Sequence, residues 1–370
     1  MSALWDELSG QDRVRELLSL AAVEPSGAYL FVGPAGVGKG GAARIFASAI
    51  LCREQCGVCS ICTRVLKGAH PDVQWFEPEG LTYPVSLIRE VVASASLTPM
   101  EGSRRVIVVD EADRIVERSQ NALLKALEEP GLSVTWILVA EAIDVFLPTI
   151  LSRCQIVEFA VVPEETVGHI LRSRFILDDE ATSTILRAAA GNLERALALA
   201  GDEDARGLRK LAIDAASNPP LTHEVFAAVE AVRDHAAAAR DQLAAEQSAE
   251  LSSLDEVHGP GPWRRRVERR HTRALRAAEL QVYQDFLVWL GTAFRDLAVM
   301  STGGGPEQVA SPDRVADLSP AADKRPTAFW IEMVEEVLEA QKAVRENANG
   351  PLAIEAILLR AASEWATVAH

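Results

Sequence analysis

Residues 33–41 read Gly-Pro-Ala-Gly-Val-Gly-Lys-Gly-Gly. A phosphate-binding loop reads Gly, four residues, Gly, Lys and then Ser or Thr. Gly33, Gly38 and Lys39 fill the fixed positions, Gly36 adds a third flexible point, and Gly40 stands where the hydroxyl belongs. The glycines let backbone N–H groups curl round phosphates, and the following helix adds a positive field at its N-terminus. Lys39 is expected to reach the outer phosphates of ATP or ADP. Gly40 offers no oxygen to Mg²⁺, which demands near-octahedral geometry. Water can fill that position, so binding is expected to survive better than hydrolysis. The alternative is a glycine-rich strand-to-helix turn with no ligand.

A second acidic element fits the same pocket. The run Arg104–Arg114, RRVIVVDEADR, is an apolar strand that ends in Asp110 and Glu111. Asp110 is placed like a carboxylate that helps hold Mg²⁺ in such sites, and Glu111 like one that polarises the attacking water. A strand merely capped by acids would look the same.

Cys52, Cys56, Cys59 and Cys62 lie within eleven residues. Four thiolates at this spacing can close round one tetrahedral Zn²⁺ in a structural site. An iron–sulfur cluster or free thiols are the alternatives. In a reducing compartment a metal is favoured over disulfides. Cys154 stands apart and is read as a small packed residue.

Other polar features are weighed against plainer readings. His70-Pro71-Asp72 reads as a turn into a strand, the alternative being a functional histidine. Residues 262–276 contain seven arginines, either a solvated helix face or a contact for phosphates or an acidic partner. Trp263 and Trp289 are expected in the core.

Elements must bring these residues together. Apolar runs at 28–32, 73–76, 105–110, 135–140 and 155–160 read as strands between amphipathic helices. Near-continuous apolar strands of this kind imply a parallel sheet covered on both faces, an α/β domain. Beyond Val162-Pro163 the pattern is helical, with breaks at Pro219-Pro220, 259–261 and 301–312. The break at 259–261 is expected to be a mobile loop.

The 370 residues suggest two or three domains, and 48% apolar residues supply real cores. A net charge of −16 argues against general DNA coating. The acidic N-terminus carries no apolar signal core, and the most apolar stretch, 134–151, contains Glu141 and Asp144. A soluble cytoplasmic protein with no membrane contact is expected.

The segments VVDEADRIVERSQNALLKALEEPG, LPTILSRCQIVEF and AHPDVQWFEPEG resemble bacterial clamp-loader subunits of the AAA+ class. LWDELSGQDRVRELL and NANGPLAIEAILLRAA resemble their opening segment and C-terminal collar helix. The resemblance implies an AAA+-like P-loop domain with a zinc module over 1–162, a helical lid over 163–205 and a helical collar over 206–370. It also implies a hetero-oligomeric ring with motor subunits and a delta subunit, acting on a sliding clamp and primed DNA at the nucleoid.

Motor subunits of that family carry a loop hydroxyl, a threonine sensor after the fourth strand and a lid-helix arginine. Here those places hold Gly40, Ala140 or Glu141, and Glu194, with Arg195 one step off. The chain therefore resembles the delta-prime branch of DNA polymerase III, which does not run the ATPase cycle, and little or no intrinsic ATPase is expected. Arg153, in the Ser-Arg-Cys tripeptide, is placed by the resemblance as an arginine finger, a catalytic residue acting in trans on a neighbour's ATP. The alternatives are an active motor subunit of the gamma/tau kind and a free-standing zinc-stabilised DNA-binding protein.

Overall fold

The structure, a computed structural model, describes residues 3–78, 82–131, 133–219, 221, 223–258, 262–346 and 348–366. The expected break at 259–261 lies outside them. Trp263 and Arg265, Arg266, Arg269, Arg270 and Arg273 have side chains outside the described set. The chain groups into two compact units: residues 1–178 with 191–197, and residues 179–190 with 198–370.

The first unit is built on five strands: β1 (Ala28–Val32), β2 (Val73–Phe76), β3 (Arg105–Val109), β4 (Val134–Ala140) and β5 (Gln155–Glu158). Their order is β2-β3-β4-β1-β5, and every pairing is parallel. β1, β3 and β4 are buried at every position, as expected of strands covered on both faces. Successive residues feed opposite faces. Tyr29, Phe31, Val106, Val108, Ile137 and Val139 join one core, and Leu30, Val32, Ile107, Val109, Trp136 and Leu138 join the other. β5 is a sheet edge and buries only Val157. The sheet and its covering helices are those the sequence pattern implies.

The helix Lys39–Leu51 packs on the first face through Ala42, Ala43, Phe46 and Ala47. Phe46 meets the ring of Tyr29 edge-on at 4.7 Å. On the other face lie the helices Val85–Ala95 and Glu117–Glu128, which contribute Leu87, Ile88, Val91, Leu123 and Leu127.

The loops before β2 and β3 are tied together by a buried carboxylate. Asp72 accepts the N–H groups of Met100 at 2.5 Å, Glu101 at 2.9 Å and Gly102 at 2.8 Å. His70, also buried, accepts the Asp72 N–H at its Nδ1, and burial lowers its pKa. This is the turn into β2 that the sequence implies.

The second unit is helical among the described residues. Helices Glu203–Ser217, Pro262–Ser301, Thr327–Arg345 and Gly350–Ala366 surround a core that contains Phe286, Leu290, Phe294, Trp330 and Met333. Trp289 is buried there, as expected. The turn at 302–312 is fixed by Asp296, which accepts the Ala310 and Ser311 N–H groups at 2.8 and 2.9 Å. No described helix is long and apolar enough to cross a membrane.

Removing the Asp72 carboxylate would take one shared acceptor from three N–H groups that lie in an exposed loop. A hydrogen bond to a charged group contributes about 1.5–3 kcal/mol, and water can replace part of it here. Asp72→Ala should therefore lower the unfolding free energy by about 1.5–3 kcal/mol. Urea unfolding followed by tryptophan fluorescence checks this; an unchanged midpoint would show that water replaces the carboxylate.

Candidate functional site: a phosphate loop, a four-cysteine cluster and a surface arginine

Register decides what meets what. Val32 lies opposite Ala140, and Val109 opposite Leu138. The loops after β1, β3 and β4 therefore leave the sheet at one edge, the carboxyl edge where ligands bind in open α/β sheets. Those loops carry residues 33–38, Asp110-Glu111 and Glu141.

The loop after β1 takes backbone shapes that suit glycine. Gly36 and Gly38 have φ of 71° and 91°. A Cβ on Gly36 would lie 2.1 Å from the Asn192 carboxamide, so even an alanine would force a shift. Gly40 and Gly41 meet nothing within 4 Å. Gln11 fastens the loop from the far side, donating to Ala160 O at 2.7 Å and Val37 O at 3.4 Å.

Lys39 opens the following helix and is 7% exposed. Its Nζ donates to Gly33 O at 2.7 Å and Pro34 O at 2.6 Å. Burial lowers its pKa, and Glu141, Glu194, Asp110 and Asp113 pull it back up. One ammonium thus lies in the field of four carboxylates.

Asp110 and Glu111 follow β3 as expected. Burial raises the pKa of both. Glu111 adopts a left-handed φ of 44°, and its carboxylate is held by Arg114 Nε at 2.6 Å. Its N–H donates back to Asp110 Oδ1 at 2.9 Å. The Tyr83 hydroxyl donates to Phe76 O at 2.9 Å and also to Asp110 O, joining the ends of β2 and β3. Burial raises the pKa of Glu77 too, and Asp110 and Glu111 raise it further.

Sequence reasoning missed Glu77, Tyr83, Gln11 and Asn192 as parts of this site. Glu77 follows a strand on the same sheet edge as Asp110, which is a usable signal once strand order is known. Nothing local marks the other three.

The four cysteines converge. Cys52 Sγ lies 3.9 Å from Cys56 Sγ and 3.8 Å from Cys59 Sγ, and Cys56 and Cys62 are 4.0 Å apart. All four sulfurs lie within 4.8 Å of one another. Sulfurs bound at about 2.3 Å on tetrahedral corners stand about 3.8 Å apart. The donor set fits a tetrahedral metal and is far too open for disulfides. Gln55 and Gly57 take left-handed turns, φ 48° and 79°, that fold the sulfurs inward. Trp5 Nε1 donates to Gln55 Oε1 at 2.7 Å and anchors the module. The Val58 and Cys59 N–H groups hold the Cys56 thiol down to about 7, whereas burial pushes Cys62 up to about 12. Cys154 packs beside the second core, and burial raises its pKa to about 12.

Arg153 sits in the turn between the short helix Pro148–Leu151 and β5. Its side chain is 31% exposed. One arm pairs with Glu128 Oε1 at 2.5 Å, and the other donates to Thr149 O at 2.7 Å and Ser152 Oγ at 3.2 Å. Arg264 pairs with Asp255 at 2.6 Å and Glu268 at 3.0 Å, as on a solvated helix face.

Residues 12–163 match the family described as DNA polymerase III, delta subunit. Subunit delta′ of Bacillus subtilis DNA polymerase III is 35% identical over 166 residues, 43% of this chain and 50% of that protein. Over those residues the chain is similar to delta′ subunits of DNA polymerase III. The delta′ subunit of Pseudomonas aeruginosa is 34% identical over 159 residues, 41% of this chain and 45% of that protein. Subunit gamma/tau of Mycobacterium tuberculosis is 32% identical over 203 residues, 51% of this chain and 35% of that protein. The chain thus spans half or less of the curated relatives it matches. In fold, it resembles the crystal structure of a Thermotoga maritima gamma subunit-related protein. The TM-score is 0.50 with 16% identity, over 96% of this chain and 100% of that one.

The sulfur geometry generates a direct test. Chelator-washed protein should retain about one metal ion per chain by elemental analysis. Cys59→Ser should lose it and melt about 5 °C lower or more, because metal binding is coupled to local folding. Fully folded wild-type protein with no metal would remove the site.

Proposed function

We propose that this chain is a non-motor delta-prime subunit of the DNA polymerase III clamp loader. In this reading it helps load the sliding clamp onto primed DNA, within a ring that also holds motor subunits and a delta subunit. Residues 1–162 serve as the P-loop part, 163–205 as the lid and 206–370 as the collar. The metal in the four-cysteine module is Zn²⁺. Its closed shell of four sulfurs leaves no position for water, so its role is structural.

The observation that carries the non-motor reading is the charge at Lys39. Hydrolysis of a triphosphate needs positive and neutral donors at its outer phosphates. Here the charges of Glu141, Glu194, Asp110 and Asp113 act on Lys39, and Gly40 supplies no metal ligand. Glu111 is paired to Arg114. Such a site would hold ATP or ADP weakly through Gly33, Gly36, Gly38 and Lys39, and would turn over little or no ATP.

Arg153 is the residue we assign to the neighbour's chemistry. A guanidinium stays charged and offers a planar fork to phosphate oxygens. Glu128, Thr149 and Ser152 hold it at the surface in a defined pose. The plainer reading is an exposed ion pair worth about 0–1 kcal/mol.

A second reading, an active motor of the gamma/tau kind, draws on the match to gamma/tau over 203 residues, longer than the 166 matched to delta′. Turnover separates the two. The isolated chain should hydrolyse ATP far below about 1 s⁻¹, the low end for phosphoryl-transfer enzymes; a rate near that value would favour the motor.

Arg153→Ala, in the reconstituted complex, should leave assembly and metal content unchanged. Hydrolysis at the adjacent site should fall by about 10³-fold or more, the low end for an arginine supplied in trans. Steady-state ATPase and clamp loading should fall in part, since other motor sites keep their own arginines. Arg153→Lys should rescue poorly, because a point charge is not a fork. Unchanged ATPase and unchanged loading would leave the subunit as a scaffold only.

A further inference from the structure

Helices Val225–His258 and Pro262–Ser301 are 34 and 40 residues long. The core of the second unit takes up one end of the pair, as far as Ala236 in the first helix and back to Leu280 in the second. Residues 237–258 and 262–279 run on past that core by about 30 Å, at 1.5 Å per residue. They stay paired as an arm. Gln247 and His271 are buried, Leu243, Val267 and Ala274 are half-buried, and Arg264 pairs with Asp255 at 2.6 Å. His271, with Val267 and Ala274 about a turn to either side, marks the face of the second helix that meets the first.

The same stretch holds seven arginines between 264 and 276 and no lysine. At about 100° per residue, positions 265, 266, 269, 273 and 276 fall in one arc of about 100° opposite His271. From 265 to 276 that arc holds arginine alone. Glu268 and Glu279 fall outside it, and so does Arg264, the partner of Asp255. Thr272, Arg276 and Ala277, on the arc and at its borders, are exposed, so this side of the helix is open. Helix stability does not account for the row. Arg264, Arg265 and Arg266 stand near the helix N-terminus, where positive charge opposes the macrodipole, and the first turn holds no acid. Arginines three and four apart, as at 265, 269, 273 and 276, repel one another along one face. A row that works against its own helix calls for an anion outside it.

We propose that this row is a binding surface for the phosphates of duplex DNA. It spans about 17 Å, and a duplex presents a negative charge every 1.7 Å or so of its axis. A guanidinium fork suits phosphate oxygens. The net charge of −16 disfavours DNA over the rest of the chain, so contact is confined to such a strip. An acidic protein fits less well, because the arc offers no apolar residue for the buried centre of a protein interface. A single strand fits less well, because residues 264–276 contain no Phe, Tyr or Trp on which bases could stack. Phosphate contact of this kind positions DNA and does not read its sequence. The inference stands whether or not the chain is a clamp-loader subunit.

The test is fluorescence anisotropy of a labelled random-sequence duplex with the full chain. Wild type should bind with a dissociation constant of roughly 10⁻⁶ M or tighter in about 50 mM salt, and log K should fall with log salt at a slope of about −4, from four or five phosphates. Arg265→Gln, Arg269→Gln, Arg273→Gln and Arg276→Gln combined should weaken binding at least tenfold and flatten the slope by about three. This variant should melt no lower than wild type, since it removes repulsion within the helix. Lysine at the same four positions keeps the charge and should bind within threefold of wild type. Arg13→Gln, Arg89→Gln, Arg172→Gln and Arg345→Gln combined remove equal charge from exposed positions elsewhere and should cost less than threefold. Circular dichroism and retained metal report that each variant is folded. If the first variant, folded, binds within threefold of wild type, or if the second glutamine set costs as much, the row is not the surface. Poly-glutamate that competes as well as duplex per unit charge would assign the row to an acidic protein and overturn the proposal. A single strand bound more tightly than the duplex would overturn it too.

Discussion

The parallel register of β1, β4 and β3 is the constraint on which the first unit depends. Parallel strands need long crossovers, so each strand end is followed by a loop and a covering helix on one side or the other of the sheet. With Val32 level with Ala140, and Val109 with Leu138, three separate loops reach one edge. A shift of one residue would turn every side chain of the strand to the opposite face. Tyr29, Phe31 and Phe46 could then no longer meet, and the helix that begins at Lys39 would lose its seat. Packing on the first face thus fixes where the phosphate loop stands.

That edge gathers charge of one sign. Glu77, Asp110 and Glu111 follow β2 and β3, and Glu141 and Glu194 reach in from β4 and the returning segment. Burial raises the pKa of Glu77, Asp110, Glu111 and Glu194, which is the expected response of carboxylates crowded into a concave site. The positive groups that answer them are few, and they are committed. Lys39 is held by two carbonyls and Arg114 by Glu111. Arg44 lies over the Trp75 ring at 4.4 Å. The loop keeps its glycine-dependent turns, and the carboxylates gathered beside it would disfavour a polyanion.

Much of this was legible in the sequence, and the reason differs by element. The strands announced themselves because fully buried strands must be apolar on both faces, as in Ala28–Val32 and Val134–Ala140. The cysteine cluster was legible because all its ligands lie within eleven residues, where spacing alone limits geometry. β5 was read two residues too long, since an edge strand with one buried residue carries a weak pattern. The contacts of Gln11 with Ala160 and of Asn192 with Gly36 join residues some 150 apart in sequence. No local period encodes such pairs. The bond from the Glu194 N–H to Gly36 O belongs to the same class: its residues were marked, one as a misplaced lid residue and one as a loop glycine, but not their meeting.

Lys39 shows how a loop lysine can take on a structural task. In the usual account the lysine of a phosphate loop is there for the phosphates. Here its ammonium is 7% exposed and donates to Gly33 O and Pro34 O at 2.7 and 2.6 Å. A Cβ added at Gly33 would lie 2.4 Å from the Phe159 carbonyl oxygen, a space that only glycine leaves free. Replacing Lys39 by an apolar side chain would take that donor from both carbonyls, one on the half-buried Gly33 and one on the exposed Pro34. The lysine therefore has a structural task that stands with or without nucleotide. Its presence beside Gly40, Glu141 and Glu194 is no contradiction: the loop needs the ammonium to hold its shape, and the carboxylates round it decide what that shape can bind.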